Sequence, residues 1–273
     1  MMNLIRIESF KLAKKKISWM IPVIIFVLSA LFLIVIRKFS AEIPQATDYL
    51  MDMMGLPPLM NLGIVVIASG IISSEFSKGT VKFLLIRPYT RAKIFLAKFI
   101  VTMIYAVLFS IFLLLTTLVL TNLILIPGSP MTFIDLYGTS ALTAALMNLG
   151  LNLFLILFYV AIAFLLQALT RSQALAVGFG VSFVFGSSVL NTINQLIIYK
   201  YSFLKWNPLN FLNIKQTIYV SYKDGLIGTI NMAGDSVNLY VSTWQMAVGL
   251  VITSAILYFI GQKIFQKRDV TLT

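Results

Sequence analysis

The side chains able to do chemistry are few and unevenly placed. The 273 residues hold 21 Lys and Arg, 9 Asp and Glu, and neither histidine nor cysteine. Without histidine, the usual general base near neutral pH and the commonest metal ligand are missing. Without cysteine there is no thiol nucleophile, thiolate metal site or disulfide, and the redox compartment cannot be read. No His-Glu-x-x-His or other ligand cluster occurs, so no metal site is expected. No Gly-x-x-x-x-Gly-Lys-Ser/Thr loop occurs either. Lys78-Gly79-Thr80 lacks the first glycine and a preceding strand, so this chain is not expected to bind ATP in that way or to carry a cofactor. One polar stretch stands out, running from Glu75-Phe76-Ser77-Lys78-Gly79-Thr80 to Arg87-Pro88-Tyr89-Thr90-Arg91. Ser73 or Ser74 suits a helix N-cap there, and Glu75 in the first turn opposes the positive helix end. Gly79 bends the chain, and residues 80–86 continue as an amphipathic segment with Lys82 and Arg87 at the headgroups. Pro88 stops it, and Thr90 caps the next helix with Arg91 and Lys93 at the interface.

The surrounding elements are apolar. The chain is 59% hydrophobic and 11% charged, where a soluble domain carries roughly a quarter charged residues. An all-α integral membrane protein is expected, a single transmembrane domain over 1–273 with six spans near 17–36, 57–74, 92–121, 138–169, 173–198 and 244–265. The basic start followed by an apolar run looks like a signal peptide. The run is too long for one, and no small-x-small cleavage site precedes Arg37-Lys38, so it reads as a retained first span led in by Trp19. Residues 1–16 are expected to lie on the membrane surface with their lysines among headgroups, although the apolar face of that helix is interrupted. Residues 75–91 link spans 2 and 3, and 199–243 form a long polar outer segment.

Charge tests this topology. Fifteen of the 21 Lys and Arg fall on the side of the termini and six on the other, while the acids divide three against six. The whole formal charge of +12 therefore belongs to one side, which the positive-inside rule makes cytoplasmic. Topology explains the basic balance without nucleic acid.

Within the spans the polar residues are small or neutral. Gly63, Ser69 and Gly70 in span 2, with Gly178, Gly180, Ser182 and Gly186 in span 5, permit close helix approach, either inside one chain or against a second copy. Asn191, Asn194 and Gln195 near the end of span 5 either line a path or meet headgroups and water. No acid or base is expected deep in any span; Lys98, near the basic end of span 3, is the deepest. An ion-driven carrier usually needs such groups, so any uphill transport would draw its energy from another subunit.

The segment Glu75…Lys78-Gly79-Thr80…Leu84-Leu85…Arg87-Pro88-Tyr89-Thr90-Arg91…Phe95…Lys98 resembles the pattern between spans 2 and 3 of ABC-2-type ABC transporter permeases. Size, six spans and cytoplasmic termini extend the resemblance over the whole chain. It implies that residues 75–91 form a cytoplasmic coupling helix docking on an ATP-binding subunit through Glu75, Phe76, Ser77, Lys78, Gly79, Thr80, Arg87 and Arg91. It also implies an N-terminal interfacial helix, small extracellular helices between spans 5 and 6, and two permease subunits, alike or different, paired with two separate ATPases that hold ATP and Mg.

The expected function is therefore a non-catalytic permease of an ATP-driven exporter in a bacterial plasma membrane, in contact with lipid. Spans without buried charge suit a hydrophobic or amphipathic cargo: a peptide toxin or bacteriocin, a drug, or a lipid-linked glycan. The Lys- and Ile-rich composition suggests a low-GC bacterium. A membrane enzyme acting on lipids and a non-transporting scaffold or sensor are the alternatives; no buried acid and base converge to favour the enzyme.

Overall fold

A computed structural model describes residues 1–72, 89–134, 138–170, 172–220, 229–232, 235–238 and 241–267; side chains are described in these segments except at 218–220, 229–232 and 235–238. Nine α-helices occur among the described residues: α1 (Met2–Lys14), α2 (Lys16–Phe39), α3 (Ala46–Leu50), α4 (Pro57–Gly70), α5 (Arg91–Ile124), α6 (Ala141–Leu169), α7 (Gln173–Lys200), α8 (Pro208–Phe211) and α9 (Thr243–Lys267). Five of them, α2, α5, α6, α7 and α9, are long and apolar enough to cross a membrane. The protein is a mostly helical, multi-pass membrane protein.

The helix limits follow local chemistry. Thr90 Oγ1 accepts from the Lys93 amide at 3.4 Å, Ser140 Oγ from Thr143 at 3.3 Å and Ser172 Oγ from Leu175 at 3.4 Å. These hydroxyls start α5, α6 and α7 by filling one of the unpaired amides of each first turn. Pro57 and Pro58 open α4, where their missing N–H groups cost nothing. The long helices lie within three residues of the expected span limits.

The second expected span differs. Its described helix α4 has 14 residues, about 21 Å at ~1.5 Å per residue, less than the ~30 Å hydrocarbon core. It is also the most enclosed helix. Met60, Gly63, Ile64, Val65, Ala68, Ser69 and Gly70 are all buried, because α2, α5, α6 and α7 pack around it. By contrast α2 turns Val23, Ile24, Leu31, Phe32 and Ile34 outward, as a helix facing lipid must. A short helix enclosed by longer ones meets little lipid and has no need to match its thickness.

The core is continuous through the bundle. An aromatic cluster joins α5, α6 and α9: Phe95 and Phe164 meet edge to face at 5.3 Å, Phe99 and Phe164 at 5.2 Å, and Phe99 and Tyr258 at 4.9 Å. Gly261 lets α9 approach this cluster, since a Cβ there would stand 3.3 Å from the Leu165 Cα and 3.4 Å from Phe95.

The fold is not purely helical. A two-residue antiparallel pair, β1 (Phe133–Ile134) with β2 (Thr139–Ser140), precedes α6, with Phe133 opposite Ser140. A second hairpin, β3 (Thr229–Met232) with β4 (Asp235–Asn238), lies in the polar segment for which the resemblance implies small helices. That segment combines the hairpin with α8 and two 3-10 helices, Ser202–Trp206 and Leu212–Val220. Alternating residues such as Thr229-Ile230-Asn231-Met232 suit a strand better than an amphipathic helix. The 37–56 loop is likewise structured. It carries α3, where Asp48 accepts from the Gln45 amide at 3.2 Å, and a turn with Met53, Met54 and Gly55 at φ of 48, 58 and 67°. Two of these are non-glycine residues in a left-handed conformation that glycine adopts far more readily.

Candidate functional site

Helix α1 has one buried line, Leu4, Glu8 and Leu12, spaced four residues apart and so stacked on one face. Leu4 packs with Ile94 and Ala97 of α5. Leu12 packs with Ile67 of α4 and Val101 of α5. The helix therefore docks on protein, a finer placement than the surface-lying helix expected from sequence. The interruption in its apolar face is Glu8, at 2% exposure in the middle of the buried line.

Glu8 is not alone. Its Oε2 receives the Lys98 ammonium at 2.7 Å and its Oε1 the Lys11 ammonium at 2.7 Å. Lys98 is 1% exposed, so the deepest cation of span 3 lies inside protein. That corrects the expectation of no enclosed acid or base. The reason is physical: a lone charge there would be prohibitive, but paired and hydrogen-bonded charges are tolerated. Burial pushes the Glu8 carboxyl up, but Lys98 and Lys11 outweigh it and hold the group below its ordinary value of 4.5.

The same lysine reaches the end of α4. Lys98 Nζ donates to the Ile71 carbonyl at 3.3 Å, where the negative end of the helix dipole favours a cation. Beside it Gln167 of α6 donates from Nε2 to the Ala68 carbonyl and accepts at Oε1 from the Ile72 amide at 2.8 Å. The Ile71 carbonyl and the Ile72 amide at the helix end are thereby met by side chains from two neighbouring helices, and the Ala68 carbonyl, which already accepts from the Ile71 amide at 3.4 Å, gains a second donor. On the far side of residues 73–88, Arg91 Nη1 donates to the Gln266 carbonyl of α9 at 3.2 Å, and Gln262 donates to the Ala92 carbonyl at 3.5 Å. The bundle thus grips the chain immediately before and after the polar stretch. The expected docking residues Glu75, Phe76, Ser77, Lys78, Gly79, Thr80 and Arg87 lie outside the described residues; Arg91 is described and faces α9.

The other sequence candidates divide by face. A Cβ at Gly63 would lie 2.5 Å from Ile21 Cγ2, one at Gly70 3.3 Å from Gln173, and one at Gly180 2.8 Å from Ser69 Oγ. These positions, with Ser69, serve close packing inside one chain. A Cβ at Gly178 or Gly186 meets nothing within 4 Å, and Ser182 between them is exposed. Asn191 exchanges side-chain hydrogen bonds with Asn213 at 2.5 and 3.0 Å. Gln195 donates to Asn210 at 2.8 Å, and Asn207 to Asn194 at 3.5 Å. The amides expected at a path or at headgroups fasten the end of α7 to the segment that follows it.

Sequence reasoning passed over a second polar group at that opposite end. Asn61 of α4 and Asn152 of α6 are buried against each other. One turn before Asn152, Asn148 donates to Asp52 Oδ1 and to the Met51 carbonyl, both at 3.3 Å. Lys215 belongs to the same neighbourhood: burial draws its ammonium below the usual lysine range, and the Asp52 charge acts in the opposite direction. The legible signal was Asn148 and Asn152 at i and i+4 in a largely apolar span. Nothing in the sequence linked Glu8 to Lys98, 90 positions away.

Comparison with known proteins places this architecture among relatives. A family model described as "Protein of unknown function (DUF2705)" matches residues 19–271. The chain is similar to "Uncharacterized membrane protein YdbK" of Bacillus subtilis (strain 168), 28% identical over 95% of this chain and 99% of the relative. It is also similar to "Uncharacterized protein YhcI" of the same organism, 28% identical over 85% of this chain and 73% of that relative.

Proposed function

The chain belongs to the DUF2705 family; we propose that it is the permease subunit of an ATP-driven exporter of the ABC-2 type. Residues 75–91 receive the stroke of a separate ATPase, two permease chains pair with two ATPases, and α4 counts as a sixth, shortened span. Both termini lie in the cytoplasm of a bacterial cell, and the cargo is hydrophobic or amphipathic, such as a peptide or drug.

One observation carries the reading. The bundle holds the residues on either side of 73–88, through Lys98 and Gln167 at Ile71 and Ile72 and through Arg91 at Gln266. A polar insert rooted at both ends in buried helices passes a push into several of them at once; a solvated loop on slack ends would not. The segment pattern described above supports the same reading, as does the basic charge gathered at this end.

Affinity purification of the tagged chain from its native membrane tests it. An ATPase subunit is expected to copurify, and Glu75→Lys is expected to leave membrane insertion intact while lowering transport-linked ATP turnover. Purification of the wild-type chain without any ATPase, or normal turnover in the Glu75→Lys variant, would overturn it.

A further inference from the structure

We propose that Glu8 and Lys98 are positioning residues that join the N-terminal helix α1 to the end of α4, so that the two move as one body with the root of residues 73–88. The role in coupling rests on the permease reading above; the mechanical join does not.

A buried ion pair is rarely the most stable filling for a core position, because apolar side chains of similar volume often do as well or better. What such a pair supplies is register. If α1 slid by one turn along α5, Glu8 would lose the ammonium at 2.7 Å and face apolar side chains such as Ile94 and Ala97. The flanking contacts, Leu4 on Ile94 and Ala97 and Leu12 on Ile67 and Val101, would permit a slide by themselves, since aliphatic contacts are non-directional. The carboxylate oxygens are each engaged by a different ammonium, and Lys98 also contacts the Ile71 carbonyl. One side chain of α5 therefore touches α1 and the last turn of α4 together. Gln167 adds α6 to the same point through Ala68 and Ile72. A displacement of Ile71 and Ile72 must either carry α1 along or break the Lys98 contacts.

The absence of native cysteine makes disulfide trapping clean. Leu4→Cys with Ala97→Cys places one thiol on each side of the α1–α5 contact. In membranes without any partner, mild oxidation is expected to close this disulfide rapidly in the otherwise native chain. Glu8→Gln with Lys98→Met leaves no charge stranded, and closure is expected to slow several-fold; Lys98→Arg, which keeps the charge, is expected to retain most of the native rate. Gel filtration checks that each variant is monodisperse. An unchanged rate in the Glu8→Gln/Lys98→Met chain would overturn the join.

In the reconstituted complex the same double variant is expected to retain the ATPase but lose its stimulation of ATP turnover. Full stimulation despite slow disulfide closure would overturn the coupling role and leave the permease reading standing. Failure of the native chain to bind any ATPase would remove the permease reading and the coupling role with it, while the disulfide rates would still decide the join.

Discussion

Asn61 and Asn152 grip each other across α4 and α6, each amide donating to the other's carbonyl oxygen, at 3.1 and 3.0 Å. They are 5% and 1% exposed. An amide facing only hydrocarbon would leave its donor and acceptor unpaired, so the reciprocal pair fixes the rotation of α4 about its own axis. It also ties the enclosed helix to α6, near Asp52 and Asn148.

Replacing either amide should therefore cost more than replacing both. Asn61→Leu or Asn152→Leu alone is expected to destabilise the bundle by roughly 0.6–1.7 kcal/mol, from the average to the maximum measured for interhelical hydrogen bonds in a membrane protein. The double leucine variant should recover part of that loss. A double-mutant cycle on unfolding in mixed micelles measures the coupling, and strictly additive single losses would show that the pair does not act as a unit.

Gln167 fills two backbone groups at the end of α4. Gln167→Leu keeps the volume and removes the acceptor of the Ile72 amide, while the Ala68 carbonyl keeps the Ile71 amide; this is expected to cost about 1–3 kcal/mol for a buried donor left unpaired. The local readout is hydrogen exchange at the Ile72 amide, expected to accelerate strongly while exchange in the middle of α9 stays unchanged.

Acid should release α1. Because the Glu8 pKa is lowered on folding from an ordinary 4.5, the unfolded chain binds this proton more tightly than the folded one. The contribution of the pair is then fully present above the unfolded value and is lost as pH falls through the lowered folded value. Thermal melts are expected to be insensitive to this group between pH 5 and 8 and to lose stability below 4.5; Glu8→Gln should remove that acid-side loss.

The glycines of α7 and α9 should behave differently from each other. Phe211 lies where a side chain at Gly249 would go, so Gly249→Leu is expected to destabilise by about 1–3 kcal/mol through overpacking and to loosen α8 from α9. Gly178 has nothing within 4 Å, and Gly178→Leu is expected to leave chain stability within about 0.5 kcal/mol. If a second permease chain packs on this open face, the same change should weaken self-association in detergent. Crosslinking yield separates the two effects, and unaltered association would place the second chain elsewhere.

Much of the architecture was legible in the residues themselves. Hydropathy over some twenty residues marks a membrane helix because each backbone group must be paired internally and each side chain must tolerate lipid. Hydroxyl caps such as Thr90 and the prolines 57 and 58 mark helix starts because their chemistry is local. The polar stretch around residues 75–91 was visible as a composition change, and its two flanks are held by side chains and backbone of neighbouring helices.

Pairing across the bundle was not legible, because it depends on which helices become neighbours. The periodicity of α1 showed an interrupted apolar face, but only docking on α5 brings Lys98 to Glu8 and turns the interruption into a buried ion pair. The hydropathy of residues 57–74 announced a span, yet only the packing of α2, α5, α6 and α7 around it made α4 an enclosed helix with Asn61 facing Asn152. Gly63, Gly70 and Gly180 read as sites of close approach, and the tertiary structure decided that the approach is to Ile21, Gln173 and Ser69 of the same chain. Local propensity and solvation are properties of a segment, whereas the partner of a buried charge is a property of the packed whole.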